Sequence, residues 1–236
     1  MVSARMTTVL AMLDRNTGQL PGDDRAAAEA AAGALGVDGV TAGIGTGPVG
    51  SALAWGSGAV SAQVDHLQFT LGQGPGTDCA ATGLPVLAPD LLAAQSRWPA
   101  FSPAAGALGV RAVFAFPLSI GAMSVGTMLA HRAAQGPLAD GEYADALTLA
   151  SAITVVLIGR RSVREGVLDV AVPAGWAGPE TYRAEVHQAT GMISVQLGVG
   201  LAEALVRLRA YSYGQDRPIA DVAADVVARR LRFDGL

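Results

Sequence analysis

The sequence predicts an α+β protein: one antiparallel sheet flanked by helices, followed by a separate group of three short C-terminal helices. Three observations carry this. Between residues 40 and 131, short apolar runs alternate with turns rich in glycine and proline, as strands do. Alanine-rich stretches with apolar residues at helical spacing lie on both sides of that region. Finally, Val172-Pro173-Ala174-Gly175-Trp176-Ala177-Gly178-Pro179 places two prolines and two glycines where no helix can continue, which marks a domain boundary.

Met6, Val9, Leu10 and Leu13 fall at helical spacing and predict an opening helix that Leu20-Pro21-Gly22 breaks. Asp23 or Asp24 then caps an alanine-rich helix ending near Gly36. Val40 to Ile44 and Leu53 to Trp55 read as strands around a turn at Gly45 to Gly50. Leu67, Phe69 and Leu71 alternate as a half-buried extended segment would. Gly72-Gln73-Gly74-Pro75-Gly76 is a turn, and Thr77-Asp78 starts a brief helix through Ala81. Pro85 to Ala88 is extended, and a loop with Trp98, Pro99 and Phe101 leads into a helix ending at Gly109. Val110 to Pro117 and Met123 to His131 form two antiparallel strands joined at Gly121. Asp140 to Val163 is a long helix, apolar around much of its circumference, which calls for burial on more than one side, on its own sheet and against a second subunit. The expected organisation is an N-terminal helix over 1–20, a sheet domain with its long helix over 21–170, a linker over 171–180 and a helical tail over 181–236.

Composition narrows the function. Apolar residues make up 51% of the 236 positions and charged ones 15%, a globular rather than a disordered balance. All sixteen basic residues are arginine. The net charge of −4 is uneven: residues 181–236 hold seven arginines against six acids (+1), and the remainder nine against fourteen (−5). Any nucleic-acid contact therefore depends on local clustering rather than bulk charge. The lone Cys79 excludes an internal disulfide and a multi-cysteine metal site, and His66, His131 and His187 form no ligand-spaced pair. No metal and no cofactor are expected. The N-terminus shows no secretion signal, and the apolar stretch Ala146 to Gly159 is shorter than the roughly 20 residues of a spanning helix, so a cytoplasmic protein is expected.

Three segments of the front domain, LQFTLGQGPGTDCAATGLPVLAPDL, RWPAFSPAAGALGVRAVFAFPLSIGAMSVGTMLAHR and PLADGEYADALTLA, resemble the GAF domains of actinobacterial regulators over roughly residues 20–160. The resemblance implies a pocket above the sheet that often senses a small molecule. Gly74, Asp78, Trp98, Phe101, Phe114 and Phe116 are the candidate lining. Plain core filling is the favoured alternative for the aromatic residues, as capping and turn roles are for Asp78 and Asp90. Some proteins of this fold are thiol-dependent reductases, but that chemistry uses an attacking and a resolving thiol, which one cysteine does not supply. No Ser-His-Asp set or carboxylate pair is evident, so no enzyme is expected.

In the tail, helices over about Glu180–Leu197, Leu201–Tyr213 and from Pro218 onward bury Val186, Ala189 and Ile193, then Ala204, Leu205 and Leu208, then Ile219, Val222, Ala223 and Val226. The stretch HQATGMISVQLGVGLAEALVRLRAYSYGQDRPIADVAADVVARRL resembles the ANTAR domain, the RNA-binding module of bacterial transcription antiterminators. Ala189 and Gly191 match its first helix, Ala204 and Leu208-Arg209 its second, and Ile219, Val222 and Ala223 its third. Thr190 stands where members often carry lysine, and Ser194 where a methionine is common. The resemblance implies binding of RNA stem-loops, with Arg207, Arg209, Arg217 and Arg229 on phosphates or stacked on bases, Tyr211 and Tyr213 as aromatic faces, and His187, Gln188, Thr190 and Gly191 at the contact. For each arginine a solvated face or a local pair, such as Asp225 with Arg229, is an equal alternative, and for the two tyrosines partial burial in the helix interface is the favoured one.

The sequence thus predicts a dimeric, signal-responsive antitermination regulator with a small-molecule or protein input. The alternatives are a DNA-binding regulator carrying the same sensor, a redox enzyme of the GAF fold, and a dimerising module without RNA binding.

Overall fold

The structure is a computed structural model and describes residues 2–15, 24–45, 52–165 and 179–234. The expected break at Leu20-Pro21-Gly22, the Asp23 or Asp24 cap, the turn at Gly45–Gly50 beyond Gly45, and the segment Val172–Gly178 lie outside the described residues and side chains. Among the described residues the chain divides into two compact units, one over 2–69 and 73–165 and the other over 179–234 with Thr70–Gly72.

In the first unit, helices α1 (Ala4–Arg15) and α2 (Asp24–Ala34) precede strands β1 (Gly39–Ile44) and β2 (Ala52–Gly56). Then follow α3 (Ala59–Leu71), α4 (Pro75–Thr82), β3 (Val86–Ala88), α5 (Phe101–Ala107), β4 (Ala112–Ile120), β5 (Met123–Arg132) and α6 (Asp140–Glu165). The strands make one antiparallel sheet in the order β2-β1-β5-β4-β3.

Strand alternation gives this sheet two unlike faces. Phe114 lies opposite Ala130 and Phe116 opposite Met128, and all four enter an apolar core with Met6 and Val9 of α1, Ala28 of α2, and Leu149 and Ile153 of α6. Val113 opposite His131, and Ala115 opposite Leu129, therefore point to the other face, which α3 and α4 help to cover. The helix layer forms as its pattern predicts. Met6, Val9 and Leu13 bury one stripe of α1, and the Ser3 hydroxyl accepts the Met6 amide at 3.1 Å as an N-cap. Asp145 of α6 is buried beneath it and accepts the Ser3 amide at 3.0 Å.

Two expectations are corrected. Leu67, Phe69 and Leu71 belong to helix α3 and not to an extended segment, because its buried positions Ser61, Val64, Gln68 and Phe69 recur at three and four residues. The apolar stretch of α6 is also longer than expected: Asp140–Gly159 spans 20 residues with mean hydropathy 1.4, which meets the length and composition of a membrane span. Core helices pass the same test. Here Ala146, Leu149, Ile153 and Leu157 are buried in the core, while the hydroxyls of Thr148, Ser151 and Thr154 bond back to carbonyls four residues earlier. On the opposite side of α6, Leu147 and Val155 are exposed in this single chain, the side for which a second subunit is expected.

The second unit is a three-helix group: α7 (Pro179–Leu197), α8 (Leu201–Gly214) and α9 (Ile219–Val227). The buried stripes are Val186, Ala189 and Ile193, then Ala204, Leu205 and Leu208, then Ile219, Val222, Ala223 and Val226, as their spacing predicts. Gly198, with φ of 65°, ends α7 in the left-handed conformation that glycine adopts at least cost. Phe233 returns to this core and its amide donates to the Gln196 side-chain oxygen at 2.9 Å.

Candidate nucleic-acid interface and sensor site

In the first unit, the candidate pocket residues divide between the two faces of the sheet. Phe114 and Phe116 are corrected: both are fully buried in the helix-layer core, where Phe116 packs on Tyr143 of α6 at 5.8 Å between ring centroids. Gly74, Asp78, Trp98 and Phe101 do assemble around α4. One Asp78 carboxylate oxygen accepts from the Trp98 indole at 3.1 Å and forms an ion pair with Arg97 at 2.8 Å, and Arg97 lies 4.8 Å over the Trp98 ring. Trp98 meets Phe101 edge-on at 6.5 Å. Asp78 is thus a brace for the indole rather than a helix cap, whereas Asp90 does cap its turn, accepting the Leu92 and Ala93 amides at 2.9 and 3.1 Å. Gly74 has φ of 130°, and a Cβ there would lie 2.5 Å from the Gln68 oxygen, so both backbone and space require glycine.

Sequence reasoning missed the polar groups of this face. Ser61 and His131 Nε2 are 2.9 Å apart, and Ser57 continues the chain to Ser61 at 3.2 Å. Gln68 accepts the Gly76 amide. Gln68 Nε2, Ser102 Oγ and His131 Nδ1 are buried without a hydrogen-bond partner among the described residues. Burial lowers the His131 pKa, partly offset by the nearby Asp38 carboxylate. The signal was present: His131 is in phase with Leu129 on an alternating strand, which places it on the face away from Phe114. Cys79 is fully buried and its thiol is pushed up to about 12 by desolvation, which favours the protonated form.

In the second unit, the arginines are largely engaged. Arg207 pairs with Glu203 at 2.6 Å, one turn earlier on α8. Arg217 and Arg230 share Asp225, at 2.7 and 2.8 Å, one on each carboxylate oxygen. These two guanidiniums hold the Asp225 carboxyl below its ordinary range, Arg217 first. The expected Asp225–Arg229 pair is corrected, because Arg229 leaves the helix in left-handed backbone, φ 58°, and Arg230 takes its place. All of these pairs are exposed, and such pairs exchange readily for a phosphate.

One RNA-contact candidate is corrected. Thr190 is fully buried and its hydroxyl donates to the Val186 carbonyl at 2.7 Å, so it contributes to the helix core and has no surface. Tyr211 is half-buried and packs on Phe233 at 5.3 Å between centroids. Tyr213, two residues on and so roughly 200° around the helix, is 84% exposed and is the accessible aromatic face of α8. Gln188 is exposed. His187 is half-buried, and burial followed by the Arg183 charge lowers its pKa. Gly191 is half-exposed, and a Cβ at this position would meet nothing within 4 Å. Arg209 of α8 is half-buried.

Set beside known proteins, the C-terminal unit matches the ANTAR domain over residues 181–227. No curated protein matches the chain. Solved structures resemble the first unit. The GAF domain of a phosphoenolpyruvate-protein phosphotransferase from Coxiella burnetii is 17% identical, with TM-score 0.51, covering 70% of this chain and all of that one. Free methionine-R-sulfoxide reductase from Neisseria meningitidis, in complex with its substrate, is 15% identical with TM-score 0.50, covering 67% of this chain and 89% of that one. The phycoerythrobilin-bound GAF domain of a cyanobacterial phytochrome is 12% identical with TM-score 0.50, covering 69% and 100%. At these identities the likeness shows the fold alone. The first unit has the α+β GAF fold with a five-stranded antiparallel sheet, and an ANTAR domain follows it.

Proposed function

We propose that this chain is a signal-responsive regulator that binds RNA stem-loops and acts by transcription antitermination. The ANTAR match over residues 181–227 carries the reading. The surface of that unit supports it: arginines in exposed, exchangeable pairs, an outward Tyr213 for base stacking, and Gln188 and Gly191 on the outer side of α7. Arg207, Arg209 and Arg217 are the proposed phosphate contacts.

The GAF unit, with its long helix, spans 21–170 in this reading and a linker over 171–180 joins it to the tail. It receives the input at the sheet face around Gly74, Asp78, Trp98 and Phe101. Gln68, Ser102 and His131 offer donors and acceptors there, which suits a polar small molecule. The exposed side of α6, with Leu147 and Val155, suits a second copy of the chain and so a dimer. A regulator of nascent transcripts works in the cytoplasm. The substrate chemistry of the Neisseria reductase is not carried over, because the single thiol here is buried and protonated.

The test is a titration of the full chain with a synthetic two-stem-loop RNA and with duplex DNA at several salt concentrations. The reading expects RNA binding that weakens steeply as salt rises and exceeds binding to DNA. Equal or stronger binding to duplex DNA would replace it with the DNA-binding alternative.

A further inference from the structure

The end of α9 is an unusual helix terminus. With Ala228 as the cap, the Arg229 amide donates to the Val226 carbonyl at 2.9 Å and the Arg230 amide to the Asp225 carbonyl at 2.8 Å. This is the Schellman pattern, whose left-handed position strongly favours glycine. Here it holds Arg229, at φ 58°. An L side chain in that conformation costs roughly 1 kcal/mol relative to glycine. The position therefore keeps a large cation against its local backbone preference.

Among the described residues that cation has no partner. Arg229 is exposed, and its guanidinium makes no hydrogen bond or ion pair among the described residues. Around it the charge is unbalanced. The single Asp225 carboxylate serves both Arg217 and Arg230, which leaves that trio with one positive charge in excess. Arg232 is neutralised by Asp234. Asp221 also acts on Arg217, so the three arginines Arg217, Arg229 and Arg230 stand against two carboxylates, Asp221 and Asp225, and the group keeps a net +1. The helix dipole accounts for cations at this end but not for one in a glycine position. Residue 229 lies beyond the ANTAR match, which ends at 227; the sequence resemblance implies a phosphate contact there, and the backbone gives an independent reason for one.

We infer that Arg229, flanked by the Arg217–Asp225–Arg230 trio, forms a phosphate-binding patch that grips the sugar-phosphate backbone of the bound RNA. The Arg229 side chain is exposed, and the two arginines on Asp225 stand ready to exchange their shared carboxylate for a phosphodiester. This rests on the RNA-binding reading and adds to it a site that local stability alone disfavours.

The experiment compares wild type, Arg229→Gly and Arg229→Lys in the full chain, binding a synthetic two-stem-loop RNA over a salt series, with thermal unfolding measured in parallel. Arg229→Gly is expected to melt at the same or a higher temperature, because glycine suits the backbone. It should nevertheless bind the RNA roughly five- to tenfold more weakly, with a salt slope smaller by about 1. Arg229→Lys should keep most of the affinity and the full slope. Wild-type affinity and slope in Arg229→Gly would overturn the patch while leaving the RNA reading intact. Failure of the wild type itself to bind the RNA would overturn both.

Discussion

Arg132 and Arg217 show how differently the two units use the same side chain. In the GAF unit, the guanidinium of Arg132 is mostly buried and donates to the Gly36 carbonyl at 2.7 Å, the Pro137 carbonyl at 3.0 Å and Glu142 at 2.8 Å. It joins the end of the sheet to the start of α6. In the ANTAR unit, Arg217 is exposed and, among the described residues, its guanidinium pairs with Asp225, which it shares. The first arginine holds a fold together, and the second is available to a ligand. Cation count therefore says little about function in this chain. The degree to which each cation is already engaged says more.

Truncation in the apolar core of the GAF unit has the largest expected effect. Phe116→Ala should destabilise that unit by about 3–5 kcal/mol, seen in denaturant unfolding, because it leaves a cavity beside Tyr143 and Met128. Arg132→Met should cost about 2–4 kcal/mol, since it strands Glu142 and the carbonyls that Arg132 satisfies. A value near zero would mean that Arg132 is as dispensable as a surface arginine. In the tail, Tyr213→Ala should leave the melting temperature unchanged and weaken RNA binding by about 1–3 kcal/mol, whereas Tyr211→Ala should do the reverse.

Gly191→Ala sharpens the contrast further. A helix interior gains about 0.5–1 kcal/mol from this change when there is room for the methyl, as there is here. If RNA approaches α7 closely at this point, the same variant binds less tightly while melting higher. The smallest effect is that of pH. The His131 and His187 pKa values are lowered by burial, so their neutral forms are favoured in the folded state. The stability they contribute is complete above the ordinary value of 6.5 and declines as pH falls below it. His131→Gln should flatten that decline in the GAF unit, as followed by unfolding midpoints between pH 7 and 5.

Much of this architecture was legible in the sequence, because its signals are periodic. The buried stripes of α1 and of the three tail helices follow directly from apolar spacing, and β4 and β5 from alternation around Gly121. The errors arose where two periods share residues. Leu67, Phe69 and Leu71 alternate, yet the helix through Ser61, Val64 and Gln68 decides their conformation. Phe114 and Phe116 looked like pocket residues because they are aromatic, while their phase along β4 assigns them to the helix-layer core. In the tail, identity was carried by buried alanine and leucine positions, which motif spacing detects. The exposed groups were not so readable. The choice between Tyr211 and Tyr213 depends on Phe233 folding back, and the partner of Asp225 depends on the left-handed turn at Arg229. Neither is encoded locally.

The most direct test of the account is single-round transcription in vitro through a terminator whose hairpin overlaps an upstream pair of stem-loops, with and without the full chain. The account predicts that read-through rises with protein concentration over the range in which the stem-loop RNA becomes saturated, and that Arg209→Ala shifts both curves together. Unchanged read-through at saturating protein would contradict it.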